Sequence, residues 1–112
     1  MKKLIVIGVF ITNTIFSQSY KDGVSIVQYS APFVIEAELS LNTFRNHNTH
    51  TFYLDKNPKI FDKENIKSLP TICLYNNGEL ILKIESGISL KLPENSKNKI
   101  EKEIDKLLIN KF

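Results

Sequence analysis

A chain of 112 residues, 42% of them apolar and 24% charged, has material for one small domain and no more. Its single cysteine, Cys73, excludes an internal disulfide, a Cys-x-x-Cys redox pair and a cysteine-built metal site. The formal charge of +3 is modest, and its distribution along the chain decides what it means.

Lys2 and Lys3 precede the apolar run Leu4–Phe10, which continues to Phe16 with only Thr and Asn interrupting it. Ser17-Gln18-Ser19 then supplies small and polar residues where a signal peptidase could cut. A basic start, a short apolar stretch and a small residue at its end predict a secretory signal peptide over 1–17. The competing reading is an N-terminal anchor, for which the run is short of the roughly 20 residues that span a bilayer. Export places the mature chain in the periplasm or outside the cell, with no membrane attachment after cleavage; no cysteine follows the run to carry a lipid. Losing Met1–Ser17 removes two lysines and no acid, so the charge falls from +3 to +1. The basic balance therefore belongs mostly to the leader, which argues against a nucleic-acid partner.

Residues 18–23 form a polar lead-in ending in the turn signal Asp22-Gly23. Val24–Tyr29 reads as the first strand, broken by Ser30-Ala31-Pro32, with Pro32 placed for the first turn of a helix. From Phe33 to about Arg45 the period is helical, with Phe33, Val34, Ala37, Leu41 and Phe44 on one face. Ile35 and Leu39, four apart, lie off that stripe as either a second buried face, packed on the lead-in, or a small exposed apolar patch. Thr49–Asp55 is a second strand, so strand, helix and strand form a right-handed parallel crossover. Lys59–Ile66 reads as a short, mostly solvated helix touching the sheet through Ile60, Phe61 and Ile66.

Leu69-Pro70 then leads into an apolar run, an Asn76-Asn77-Gly78 turn and a second apolar run, which together predict a hairpin. In its second strand, Leu80, Leu82 and Ile84 share one face and Ile81, Lys83 and Glu85 the other. A connector with Pro93 precedes a final helix from about Ser96 to Asn110, with Ile100, Ile104, Leu107 and Leu108 as its buried stripe. Lys99 and Glu103 are spaced for an ion pair of a few tenths of a kcal/mol.

That order resembles the thioredoxin-like fold: α/β, with about four strands in a mixed sheet and flanking helices, over 24–112. Val27-Gln28-Tyr29-Ser30-Ala31 resembles the strand entering a thioredoxin active site, and Leu54–Pro58 the family's next strand end and turn. Ile66–Thr71 resembles the segment that holds its cis-proline, and Tyr75–Glu79 with Ser86-Gly87 its terminal hairpin. The chain is also similar to small, exported, flavobacterial-type members, and it lacks a counterpart of the family's first strand and helix. Where the family has Trp-Cys-x-x-Cys, this chain has Phe33-Val34-Ile35-Glu36-Ala37. Disulfide exchange needs a low-pKa thiolate and a second thiol to resolve the mixed disulfide, and Val34, Ile35, Glu36 and Ala37 supply neither. Gln28 falls where thioredoxins keep a buried carboxylate for proton transfer, a role an amide cannot take.

The resemblance implies a cis bond before Pro70. The loop Leu69-Pro70-Thr71 could present backbone groups to an extended partner segment, or could simply turn the chain into the sheet. Cys73 reads as a buried small hydrophobe, against a reactive thiol. His47 and His50, in an Asn-rich loop, are too few for a structural zinc site, and Glu36 and Glu38 face different ways on a helix. No phosphate loop, nucleophile elbow or aromatic-basic interleaving is present, and no cofactor is implied. The sequence thus favours a redox-inactive binding domain for a protein or peptide partner, with Pro32–Glu36, Leu69–Thr71 and the Ile35/Leu39 pair as its surface. The alternatives are a thiol-dependent oxidoreductase using Cys73 and a structural subunit of an envelope assembly.

Overall fold

The structure is a computed structural model that describes residues 19–110; the expected leader over 1–17 lies outside them. Four strands form one sheet in the order β2-β1-β3-β4: β1 is Val24–Ser30, β2 Asn48–Tyr53, β3 Thr71–Asn76 and β4 Glu79–Glu85. β1 runs parallel to β2 and antiparallel to β3, and β3 and β4 are the hairpin. Two α-helices flank it, α1 over Pro58–Lys63 and α2 over Ser96–Asn110.

The two central strands read as near-continuous apolar runs because both of their faces are covered. Alternation along them sorts side chains into two cores. Ile26, Ile72 and Leu74 join Phe44, Ile84 and the α2 residues Ile100 and Ile104 on one face. Val27, Tyr29, Cys73 and Tyr75 join Phe61 of α1 and Tyr20 of the lead-in on the other. Each fully buried Ile or Leu contributes about 1.5–3 kcal/mol, so both layers are needed in a domain of this size.

The hairpin turn follows its sequence signature. Asn77 and Gly78 both have positive φ, 52° and 89°, as a tight two-residue turn between twisted strands requires. The lead-in is tied to this tip: the Asn77 and Gly78 N–H groups donate to the carbonyls of Gly23 and Lys21 at 2.9 and 3.0 Å.

The crossover from β1 to β2 corrects the expected helix over 33–45. It consists of two short 3-10 turns, Pro32–Ala37 and Asn42–Phe44. Val34 leaves helical geometry (φ −124°, ψ 20°) and Glu38 is extended (φ −65°, ψ 148°). The β-branched pair Val34-Ile35 and the run Asn42-Thr43 are weak helix formers, and the buried Gln28 amide captures both backbone groups of Leu39. Leu39 therefore packs with the α2-side core while Ile35 is exposed; neither packs on the lead-in, and they share no helical face.

Smaller differences have local causes. A β-bulge skips Ile81 between the pairs Leu74/Leu82 and Tyr75/Leu80. Ile81 consequently packs on the same core as Leu82 and Ile84, and Leu80 turns outward. His50 lies on β2 rather than in a loop, its ring stacked on Phe52 at 5.9 Å and 3°. Leu108 is partly exposed at the edge of the α2 stripe, and Glu103 pairs with Lys106 at 3.3 Å rather than with Lys99. No described helix is long and apolar enough to cross a membrane.

Candidate functional site

β1 delivers the chain to the sheet end at Ser30, and Ala31 continues it extended (φ −154°, ψ 159°). Pro32 fixes the next φ and starts the first 3-10 turn, closed by the Val34 N–H on the Ala31 carbonyl at 3.0 Å. The turn points Val34 into the protein and leaves Phe33 and Ile35 71% and 53% exposed. Glu36 is exposed and Ala37 half-buried. The positions that the sequence resemblance sets against the thioredoxin cysteines, Val34 and Ala37, are a buried valine and a half-buried alanine.

The Leu69–Pro70 peptide bond is cis, as the resemblance implied. Pro70 is buried, and its carbonyl accepts the Ser86 N–H at 3.2 Å. Thr71, fully buried, donates its hydroxyl to the Ser68 carbonyl at 2.6 Å. Those bonds brace the loop from behind. In front, the Leu69 N–H and carbonyl have no partner among the described residues.

Phe33 meets this loop in a shallow depression of about 400 Å³ with Lys67, Ser68, Leu69, Ile88 and Leu90. A second open cleft of about 590 Å³ continues from Phe33 past Glu36 and Ala37 to the connector Ser89–Glu94. Ile88 is fully exposed. Leu90 adopts left-handed geometry (φ 61°), which costs a side-chain-bearing residue roughly 1–2 kcal/mol; strain of that kind concentrates where a chain holds a particular surface. The structure therefore brings Phe33 and Leu69 to one rim and adds Ile88 and Leu90, with Val34 and Leu39 lining the second cleft and Pro70 and Thr71 buried; Ile35 is exposed but lines neither depression. Ile88, an isolated apolar residue between Gly87 and Ser89, was the available sequence signal for the added part.

Gln28 and Cys73 lie beneath the surface. Gln28 Nε2 donates to the Leu39 carbonyl at 2.9 Å and Oε1 accepts the Leu39 N–H at 2.8 Å, so its polar atoms are occupied in holding the crossover. Cys73 is 1% exposed. Burial pushes its thiol up to about 11, against smaller downward effects of the Tyr75 hydroxyl and Lys83. A nucleophilic thiol needs the reverse, a lowered pKa and access.

One more polar cluster lies on the α1 side. Glu64 accepts Lys21 Nζ at 2.6 Å and the Tyr20 hydroxyl at 2.8 Å on one oxygen, and the Tyr75 hydroxyl at 3.2 Å on the other. Burial pushes this carboxyl up, but Lys21 and the two tyrosines outweigh it and hold it below the usual range. Both oxygens are occupied, so the cluster staples the lead-in to the domain. Glu38 is likewise engaged, accepting the Ser30 and Tyr53 hydroxyls at 2.8 and 3.3 Å. Among the described residues no three His, Cys, Asp or Glu side chains are grouped to hold a metal ion.

No family model matches this chain, and no curated protein matches it. Solved structures do. A designed protein superposes with a TM-score of 0.61 at 17% identity, over 86% of this chain and 90% of its own. The oxidised thioredoxin of Plasmodium falciparum gives 0.56 at 22% identity, over 81% and 90%. A second structure of Plasmodium falciparum thioredoxin gives 0.53 at 26% identity, over 77% and 87%.

Proposed function

We propose that this chain, which has the thioredoxin-like fold with one cysteine and no Cys-x-x-Cys pair, is an exported protein-binding domain without dithiol redox activity. It takes an extended, apolar segment of a partner protein in the periplasm or outside the cell. The observation that carries this reading is the exposed rim of Phe33 and Ile88 beside the Leu69 backbone, which has no partner among the described residues. Scattered exposed apolar residues are ordinary on a protein surface, whereas a cluster at one end of the sheet marks an interaction site. An extended segment would satisfy the Leu69 N–H and carbonyl while its side chains rest against Phe33 and Ile88.

The leader-like sequence over 1–17 supports export. Such a domain could act alone on one partner or as a subunit of an envelope assembly. The thiol-dependent alternative, with Cys73 as nucleophile, has burial and a raised thiol pKa against it.

The test is capture from an envelope extract by the immobilised wild-type chain and by Phe33→Asp and Ile88→Asp, beside a disulfide-reduction assay. The reading expects a captured protein that both variants lose, and no turnover. Capture unchanged by both substitutions, or measurable reduction of a disulfide substrate, would overturn it.

A further inference from the structure

The hairpin tip Asn77-Gly78 lies at the end of the sheet away from Ser30 and Pro70. Both residues are exposed, and among the described residues no hydrogen bond holds the Asn77 carboxamide. With no Cβ on residue 78, its backbone nitrogen is unshielded. That nitrogen, once its proton has passed to water, is a nucleophile for the Asn77 carboxamide carbon. An N–Cγ bond forms, the Cγ–Nδ2 bond breaks, and the leaving nitrogen takes up a proton as ammonia. Water then opens the resulting succinimide at either carbonyl, which leaves aspartate or isoaspartate at position 77.

The folded chain opposes the first step. The Gly78 N–H donates to the Lys21 carbonyl at 3.0 Å, and a hydrogen bond made by the protonated form disfavours loss of the proton. Ring closure also requires rotation about the Asn77 Cα–C bond, out of the two-residue turn that positive φ at both residues defines. The Asn77 N–H, donating to the Gly23 carbonyl at 2.9 Å, resists that rotation. Both acceptors belong to the lead-in, which Tyr20 anchors in the α1-side core and Lys21 ties to Glu64 at 2.6 Å.

We propose that Asn77 is a site of spontaneous deamidation that the lead-in holds closed, so that conversion proceeds only when residues 19–23 undock. Isoaspartate carries the main chain through Cβ and Cγ, which inserts a carbon into the turn and displaces both N–H groups from their acceptors. Conversion therefore leaves the lead-in released. The device is separate from the Phe33–Ile88 rim and owes nothing to partner binding.

Peptide mass spectrometry of the purified chain, sampled over time at pH 8, follows the amide-to-acid exchange at residue 77, and chromatography separates the two products. Conversion in the folded wild type is expected to be at least about tenfold slower than in guanidinium chloride, an opening cost of about 1.4 kcal/mol. Glu64→Gln removes the Lys21 ion pair and should raise the native rate at least about threefold. Ile104→Val, which thins the opposite core, should leave the rate unchanged. The denaturant comparison does not depend on any variant folding. The isolated isoaspartyl chain should exchange its lead-in amides for deuterium faster than the wild type. Equal rates for native and denatured wild type, no acceleration in folded Glu64→Gln, equal acceleration in Ile104→Val, or an isoaspartyl chain whose lead-in stays protected would each overturn the inference.

Discussion

The carboxamide of Gln28 and the backbone of Leu39 form a closed pair, donating at 2.9 Å and accepting at 2.8 Å across eleven residues of chain. A carboxylate at the same position can accept but not donate, so Gln28→Glu would leave the Leu39 carbonyl facing a second acceptor. The expected loss is about 1–3 kcal/mol, the usual cost of an unsatisfied buried polar group, measured by urea denaturation at pH 7. Burial raises the new carboxyl's folded pKa, and its protonated form regains a donor. The deficit should therefore be smaller at pH 4 than at pH 7.

Glu64 sets an acid limb of stability. Burial pushes its folded pKa up, but Lys21 and the Tyr20 and Tyr75 hydroxyls outweigh burial and leave it below that of an unfolded carboxyl. A depressed folded pKa means that the unfolded chain binds the proton more readily. The contribution is complete above the unfolded value of about 4.3 and is lost as pH falls through the lower folded value. Thermal unfolding of Glu64→Gln followed from pH 7 to pH 2 should show a flatter acid limb than the wild type; parallel curves would refute the assignment.

Cys73 should behave as a core residue. With the thiol pushed up to about 11, its thiolate fraction at pH 8 is on the order of a hundredfold below that of an ordinary cysteine. Burial lowers its accessibility further. Labelling with a thiol reagent at pH 8 should therefore be at least that much slower in the native protein than in denaturant. Equal rates would restore the thiol-dependent alternative.

The rim and the core should separate cleanly on substitution. Ile88 is fully exposed, so Ile88→Asp should change stability by no more than about 0.5 kcal/mol while weakening partner capture. Ile100 is buried against the sheet, and Ile100→Ala should cost about 2–5 kcal/mol and affect capture only through folding. Calorimetry and capture on the same preparations check both.

The sheet was legible in the sequence because its signals are local. Val24–Ser30 and Thr71–Asn76 are apolar runs bounded by breakers, and Asn77-Gly78 fixes the hairpin of Thr71–Asn76 with Glu79–Glu85 through positive φ. The cis bond at Pro70 was legible only through resemblance to thioredoxins. The crossover was not legible: the period over 33–45 is helical, but a buried side chain from β1 competes for Leu39, and that contact lies eleven residues away. Nor does anything local to Tyr20-Lys21 in sequence announce their partner Glu64, forty-three and more residues later. At the site, the missing cysteines were plain from the residues themselves. The rim was half visible, since Phe33 and Leu69 flank the proline motifs, while Ile88 and Leu90 reach it from the connector after β4 only once the chain has folded.

Hydrogen–deuterium exchange of the chain, alone and saturated with the partner captured from the envelope extract, tests the rim most directly. New protection should appear over 32–37, 67–70 and 87–90, around the Leu69 N–H, with the strand interiors unchanged. Protection that leaves those three segments untouched and appears elsewhere would contradict the assignment of this surface as the binding site.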